Sequence, residues 1–185
     1  PVNITKEKYR SRMGLGLFYL KNLAENLSSR IFIGGETRIE GSSCEFKLDE
    51  QGRNSKESKK TFSIGPRISY DTFRGKKRFL SVYFNFLLNY HSNKIVQNDT
   101  ITSNNSDTAK YKGYSFASHV GTLYQTEIVK NLSMVFGGDI FLKTPHTMTS
   151  KTIHSNNYMW NGDFDSYSKD IEFGFNLQVG IMGIY

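Results

Sequence analysis

The chain has little of the chemistry that stabilises small disulfide-rich or zinc-binding domains. Its 185 residues include one cysteine and four histidines, which excludes a disulfide scaffold and most structural zinc sites. Long hydrophobic runs are also lacking. The most apolar stretch, residues 79–90, is about half the ~20 residues that a membrane-spanning helix needs, and Asn85 interrupts it. A bundle of membrane helices is therefore excluded.

Aromatic and basic residues are abundant instead. Phe, Tyr and Trp make up 14% of the chain, which favours β structure. The net charge of +7 indicates anionic surroundings. The length is that of one domain, which we assign to residues 1–185. Because the sequence starts at Pro1 and shows no signal-peptide pattern, we expect a processed or trimmed chain.

Apolar and polar residues alternate with a period of two over most of the sequence, as in β-strands with two different faces. The pattern predicts seven strands, over residues 13–20, 31–40, 61–71, 79–90, 111–126, 132–143 and 171–185. Short connections (21–27, 72–78 and 128–131) alternate with long ones (41–60, 91–110 and 144–170). This alternation of lengths is typical of an up-and-down barrel with one trimmed and one elaborated rim.

Alternation alone fits a soluble lipocalin-like barrel, with its apolar face inside, and a membrane barrel, with its apolar face outside. The polar faces of 61–71, 79–90 and 171–185 are mainly Gly, Ser, Thr, Asn and Gln, which suit a narrow lumen better than a water-facing surface. The roughly thirty large apolar side chains exceed what an eight-stranded interior holds. We therefore predict an all-β, up-and-down antiparallel transmembrane β-barrel.

The last residues carry a family resemblance. Leu177, Val179 and Ile181 precede a terminal aromatic residue, Tyr185, and this spacing resembles the C-terminal assembly signal of bacterial outer-membrane β-barrels. Gly183 departs from the pattern, because a large apolar residue is more usual there. With its Asn-, Lys-, Tyr- and Phe-rich composition, the chain is similar to small outer-membrane barrel proteins of Bacteroidota.

The resemblance implies an even strand number, periplasmic termini and short turns, and extracellular long loops. Seven strands are readable, so we expect an eight-stranded barrel whose first strand is absent from this sequence or supplied by something else. Pairing of the first ten residues with the last strand would remove the need for it. The resemblance also implies candidate O-glycosylation at Thr100 and Thr108, in Asp-Thr-aliphatic triplets; loop turns built on Asp and Thr are the alternative.

Several charged residues share the inward parity of the predicted strands. Because a charge in a narrow lumen is costly unless it is paired, we expect an ion-pair network of Arg30, Glu36, Arg38, Arg67 and Asp139. Such a network fills the interior, so no diffusion pore is expected. A gate or a proton path is the alternative role.

Two His-Ser pairs, His91-Ser92 and His154-Ser155, resemble part of the site of outer-membrane lipid A deacylases. Those enzymes place a His and a Ser two residues apart, on one strand face, to hydrolyse an acyl ester. Here the two residues are adjacent, so Ser92 points away from His91. We therefore predict no catalytic residue, and neither a metal nor a cofactor; His119 is expected to be a hydrogen-bonded lumen residue.

The loops suggest contacts rather than chemistry. Four aromatic residues in the longest loop either contact a partner or form the loop's own small core: Tyr158, Trp160, Phe164 and Tyr167. The basic run 74–78 fits a turn near lipid phosphates or a solvated turn, and nothing else supports nucleic-acid binding. Cys44 is expected in a polar outer loop.

Three functions follow from different classes of protein. The first is a non-enzymatic integral outer-membrane barrel, structural or an accessory subunit of an envelope complex. Its partners would be outer-membrane lipids and other envelope proteins. The second is a lipid A deacylase-like enzyme, and the third is a narrow ion channel. We favour the first, because no catalytic constellation survives inspection and the lumen is expected to be filled.

Overall fold

A computed structural model describes residues 6–9, 13–23, 30–47, 54–98, 106–154 and 166–183. Within these ranges the chain forms one antiparallel sheet. Its strands are β1 (Lys6–Tyr9), β2 (Met13–Asn22), β3 (Ile31–Lys47), β4 (Asn54–Arg74), β5 (Arg78–Asn98), β6 (Ser106–Val129), β7 (Leu132–Lys143), β8 (His146–His154), β9 (Ser166–Lys169) and β10 (Glu172–Gly183). None of these residues belongs to a helix long and apolar enough to cross a membrane.

These segments follow an up-and-down course of seven strands that curls into a half-barrel. β1 and β2 both pair with β3 and occupy the same edge in succession. β7 and β8 both pair with β6, one after the other along its length. β10 in turn pairs with β7, and β9 pairs with β8. The all-β, antiparallel, up-and-down prediction is confirmed, and each predicted strand coincides with one of these positions.

The predicted long connections were too long. β3 extends to Lys47 and β4 begins at Asn54, so most of the expected 41–60 loop is paired strand. Likewise, β5 and β6 continue through most of 91–110, and β8 and β9 lie within 144–170. These extensions are mostly polar, and their few apolar residues, such as Ile95, Val96 and Met148, form no period-two pattern. Because alternation reports a difference between faces rather than backbone pairing, such strands leave no periodic signal.

Two predicted loop positions change with the longer strands. Cys44 lies in β3 and Thr108 in β6, rather than in loops, and both side chains are half-buried. Thr108 is opposite Val96 of β5. Among the first residues, Lys6–Tyr9 pair with β3 and not with the C-terminal strand. The pairing that would have removed the need for an eighth strand is therefore not formed by these residues.

Apolar side chains cover the outer face of the sheet and polar side chains are buried on its inner face. In β5, Phe84 and Phe86 are 45% and 43% exposed, whereas the alternate residues Asn85 and Leu87 are fully buried. The apolar face is therefore on the outside of the curled sheet, and not on the inside as in the lipocalin-like alternative. The outer apolar residues form what we call the apolar belt, which runs over 13–19 in β2, 31–39 in β3, 62–70 in β4, 80–90 in β5, 114–124 in β6, 132–142 in β7 and 173–181 in β10.

The interior of the half-barrel is filled in layers. Nearest the short turns, Tyr83, Leu123 and Val135 form a small apolar cluster, against which Phe18 and Met182 pack. At the other end, beyond the apolar belt, Ala109, Tyr111 and Met148 form a second cluster with Ile95. Polar and charged residues occupy the space between the two clusters.

Two tight turns set the registers at the short-turn rim. Between β6 and β7, Asn131 adopts a left-handed conformation with φ 66°, which asparagine tolerates better than most residues. Between β4 and β5, the Gly75 amide donates to the Arg78 carbonyl at 2.8 Å. The predicted short connections at 72–78 and 128–131 are therefore present as hairpin turns.

Candidate functional site

A buried charge network lies at the centre of the inner face. Arg67 Nη1 donates to Glu36 Oε2 at 2.8 Å, and Arg38 Nη2 donates to Asp139 Oδ2 at 3.2 Å. The Arg38 Nε also donates to Glu36. Two guanidinium groups thus meet two carboxylates, and the network has no net charge from these four groups.

Strand geometry explains why these residues meet. Glu36 and Arg38 are two residues apart in β3 and so share a face. Glu36 is opposite Gly65 of β4, which places Arg67 on the diagonal. Asp139 reaches the network from β7, across the curl of the sheet. The pairing therefore joins both halves of the half-barrel.

Amide, hydroxyl and imidazole side chains complete the hydrogen bonds of both carboxylates. The Asn85 Nδ2 donates to Glu36 Oε2 at 2.7 Å. The Tyr83 hydroxyl donates to Asp139 Oδ2 at 2.7 Å, and Asn176 Nδ2 donates to Asp139 Oδ1 at 2.7 Å. His119 Nδ1 lies 2.9 Å from Asp139 Oδ1, and Gln178 donates to Asp139 as well. Buried carboxylates with this many partners are held rigidly.

Arg30 does not belong to this network. It is exposed just before β3, and its carbonyl accepts the Asp71 amide at 2.9 Å. Arg30 has the same parity as Glu36 but lies six residues away, about 20 Å along a strand. Its predicted membership of the network is therefore wrong, because parity gives no information about the height of a residue along the strand. The nearby Asp71 is instead paired with Arg74, at 2.8 Å.

A second polar cluster surrounds His91, one residue beyond Tyr90 at the end of the apolar belt. The Thr61 Oγ1 lies 3.0 Å from His91 Nδ1, and the Ser115 Oγ lies 2.7 Å from His91 Nε2. The His146 ring stacks on His91 with 4.4 Å between centroids. Burial, with help from the positive charges of Lys59 and Lys143, lowers the pKa of His91 to about 2.

The sequence missed the Ser115–His91 contact because the two residues are on different strands. Ser92, the adjacent serine, lies on the opposite face of β5. Only the β5–β6 register brings Ser115 next to His91, and residue spacing carries no signal for it. A serine beside an imidazole resembles a nucleophile with its base, but both side chains are buried, at 3% and 0% exposure.

A third group of charges joins β4, β7 and β10 through Lys59, Lys143 and Glu172. The Lys143 Nζ donates to Glu172 Oε2 at 2.6 Å, and the Lys59 Nζ donates to Glu172 Oε1 at 3.4 Å. Within the part of the chain that the structure describes, no group of three or more His, Cys, Asp or Glu residues could hold a metal ion. Besides its apolar clusters, the inner face carries ion pairs and hydrogen-bonded amides.

The remaining predicted residues are distributed as follows. Leu177, Val179 and Ile181 are exposed on the outer face of β10. Tyr167 lies in β9, opposite Met148 of β8. Thr100, Tyr158, Trp160, Phe164 and Tyr185 lie outside the described residues. No known protein family, curated protein or solved structure matches this chain.

Proposed function

We propose that this chain forms the wall of a small bacterial outer-membrane β-barrel of the Bacteroidota type. In this role it is a non-enzymatic structural protein or an accessory subunit of an envelope assembly. The observation that carries the proposal is the inverted distribution of side chains, with the apolar belt exposed and paired charges buried. An apolar surface of this extent is a membrane or protein contact rather than a water-facing surface.

The height of the apolar belt supports a bilayer as the contacting phase. In β5 it runs from Leu80 to Tyr90, which is about 33 Å along the strand. A strand tilted by roughly 40° converts that length into a band of about 25 Å, the height of the apolar band of membrane barrels. Beyond the belt, β5 continues to Asn98 through a mostly polar segment that also contains Ile95 and Val96. A mostly polar segment is expected where a strand leaves the bilayer.

The filled inner face supports a structural role over conduction. Arg67 and Asn85, which are opposite each other, and His91, six residues beyond Asn85 in β5, are fully buried on the inner face. The clusters at both ends are apolar. A narrow barrel filled in this way leaves no continuous path for ions. We expect no steady current from the purified protein in planar bilayers, and steady open-channel currents would favour the ion-channel alternative.

Spin labels on one strand test the membrane proposal. In a Cys44→Ser background, Phe86→Cys lies within the apolar belt, and Lys94→Cys lies on the same face of β5 above it. After reconstitution into phospholipid vesicles, a label at position 86 should collide with dissolved oxygen and be shielded from a water-soluble nickel chelate. The label at position 94 should show the opposite preference.

Equal access of the chelate to both positions would contradict the proposal. A label at position 86 that neither oxygen nor the chelate reaches would assign the apolar belt to a protein partner instead. Circular dichroism of both labelled variants serves as the folding control.

A hydrolase is the second candidate, because Ser115, His91 and Thr61 form a hydrogen-bonded chain. Treatment of the reconstituted protein with a fluorophosphonate probe separates the two candidates. Our proposal predicts no labelling, since Ser115 is buried. Labelling that disappears in Ser115→Ala and persists in Ser92→Ala would establish an activated serine and would overturn the non-enzymatic proposal.

A further inference from the structure

Lysine side chains form a cluster on the outer face of the sheet, directly beyond the apolar belt. They are on the neighbouring strands β4, β5 and β6, they have the same parity as the belt residues of those strands, and all are exposed. We call this cluster the lysine patch, and it consists of Lys56, Lys60, Lys94, Lys110 and Lys112. Positive charge is therefore concentrated where the belt gives way to the polar strand ends.

The strand register places Lys94 at the centre of the patch. Lys94 of β5 is directly opposite Lys110 of β6, and the Cβ atoms of such a pair are about 5 Å apart. On the other side of β5, Lys56 and Lys60 of β4 lie on the two diagonals from Lys94. Lys112 of β6 lies on a third diagonal, at roughly 7–8 Å. Strand pairing therefore holds the backbones of these lysines together.

The patch has little negative charge to balance it. Among the described residues, the Glu45 carboxylate is the one acidic group in an ion pair with the patch, at 3.7 Å from Lys56 Nζ. The nearby Glu57 is on the inner face, where it accepts from Asn93. Like charges directly opposite each other destabilise a sheet, and the Lys94–Lys110 pair is closer than the screening length of about 8 Å in physiological salt. An external anion at the patch would relieve this repulsion.

The surroundings of the patch favour a lipid as the anion. On the same face, the apolar belt ends at Tyr90 in β5 and Tyr114 in β6, whose ring centroids are 5.3 Å apart. Lys112 is two residues beyond Tyr114, about 7 Å along the strand. A lipid carries its phosphate beside its apolar chains, so chains on the belt bring the phosphate to the patch. A free phosphate or a nucleic acid would leave the belt uncontacted.

We propose that the lysine patch binds the phosphate groups of anionic lipids whose acyl chains lie against the apolar belt. The proposal rests on the proposed membrane location, because it requires lipid at the belt. Lys60 and Lys112 are opposite Ser92 from its two sides, so about 9.6 Å separates their strands. A phosphate above Ser92 is within reach of both ammonium groups, each of which has three donors. The Ser92 hydroxyl lies between them on the same face.

Lipid retention in detergent tests the proposal. The full chain in dodecyl maltoside is mixed with equal amounts of dioleoyl phosphatidic acid and dioleoyl phosphatidylcholine, and native mass spectrometry counts the lipids that remain bound. These two probes have the same acyl chains and differ in the charge of the headgroup. We expect clear preferential retention of phosphatidic acid, which decreases as salt is added. Equal retention of the two lipids would overturn the proposal.

Two double variants locate the binding. A lysine near an anionic lipid surface contributes roughly fivefold to affinity, so Lys94→Gln/Lys110→Gln should reduce the preference for phosphatidic acid about tenfold or more. Lys76→Gln/Lys77→Gln is the matched control, because it removes the same charge from the exposed turn between β4 and β5. Equal loss in both variants, or no loss in the patch variant, would contradict binding at the patch. Circular dichroism of both variants serves as the folding control.

Two competitors distinguish a lipid from other anions. Inorganic phosphate that displaces phosphatidic acid at the same concentration would show that the patch binds the free anion. A polyglutamate peptide that binds more tightly than phosphatidic acid would assign the patch to an acidic protein segment. Either result would overturn the lipid proposal, and we expect neither.

The lysine patch proposal and the membrane proposal fail in different experiments. A spin label at position 86 that the nickel chelate reaches in vesicles contradicts the membrane proposal, whatever the lipid retention in detergent. Equal retention of the two lipids, with that label shielded from the chelate, contradicts the lysine patch proposal alone.

Discussion

Arg67 lies between two aromatic rings while it pairs with Glu36. Its guanidinium carbon is 4.4 Å from the centroid of Phe18 and 3.7 Å from that of Tyr83, and its Nη1 is 2.8 Å from Glu36 Oε2. The ring faces replace water on both sides of the cation. This arrangement links β2, β3, β4 and β5 through one side chain, and it also fills the centre of the inner face.

Removal of one member of this pair should be more damaging than removal of both. Arg67→Met leaves the Glu36 carboxylate buried with one guanidinium fewer, and we expect a loss of about 3–5 kcal/mol in the free energy of unfolding. The double variant Arg67→Met/Glu36→Gln should recover much of that loss. Urea titration in detergent micelles, followed by circular dichroism, measures both. Lys94→Met, at an exposed position, is the control; a double variant as unstable as Arg67→Met would contradict the prediction.

Asp139 should determine how firmly β10 is held. Its carboxylate accepts from Asn176 and Gln178 of that strand, so Asp139→Asn replaces an acceptor with a donor that faces other donors. We expect a loss of about 1.5–3 kcal/mol, the usual value for a hydrogen bond to a charged group. Hydrogen exchange should accelerate first in residues 172–183. Uniform acceleration across β4 and β5 would instead indicate a global effect. Glu45→Gln, outside the network, is the matched control.

Gly65 should tolerate no side chain. A Cβ at this position would overlap the backbone carbonyl of Phe86 on the neighbouring strand, so the β4–β5 pairing would have to shift. Overpacking costs typically about 1–3 kcal/mol, and we expect Gly65→Ala to lower the free energy of unfolding by at least that amount. Gly41→Ala, in open space, should change it little. Equal stability of the two variants would contradict the prediction.

Acid should destabilise the fold through His91. Its pKa is lowered to about 2 from the ordinary 6.5, because burial and the charges of Lys59, Lys143 and His146 oppose the imidazolium, while Glu172 favours it. The stabilising effect of the neutral ring is complete above pH 6.5 and decreases as the pH falls toward 2, by at most about 1.4 kcal/mol per pH unit. Urea titrations between pH 7.5 and 4.5 measure the slope. His91→Gln should flatten it; an unchanged slope would assign the effect to other groups.

The charge network shows how far the sequence alone could predict the site. Glu36, Arg67 and Asp139 could be assigned to the inner face because side chains alternate strictly along a strand. Their contacts with Tyr83, Asn85 and Gln178 were not predicted, although the parity of all three was available. Neutral polar residues are frequent on the inner faces, so nothing in the sequence marks the ones that meet a carboxylate.

The ends of the strands show a second limit of what the sequence pattern can predict. The apolar belt has a periodic signal because its two faces contact different surroundings. Beyond it, residues such as Ser92 and Lys94 are in paired strands as well, but apolar and polar residues do not alternate there. Pairing of that kind depends on the neighbouring strand, and a neighbouring strand is not visible in a local pattern.

The sequence by itself determined where the central strands lie and which of their faces is apolar, because side-chain direction repeats every two residues whatever the partner. Tertiary structure alone decided which residues of the same parity come into contact. It keeps Arg30 away from Glu36 and places Ser115 beside His91. Such contacts depend on the register between neighbouring strands. That register is set by the turns at Gly75 and Asn131 and by two register shifts, one between Asp71 and Phe73 and one between Glu127 and Val129. A shift of one residue at a turn moves every contact above it, and no spacing within a single strand records that shift.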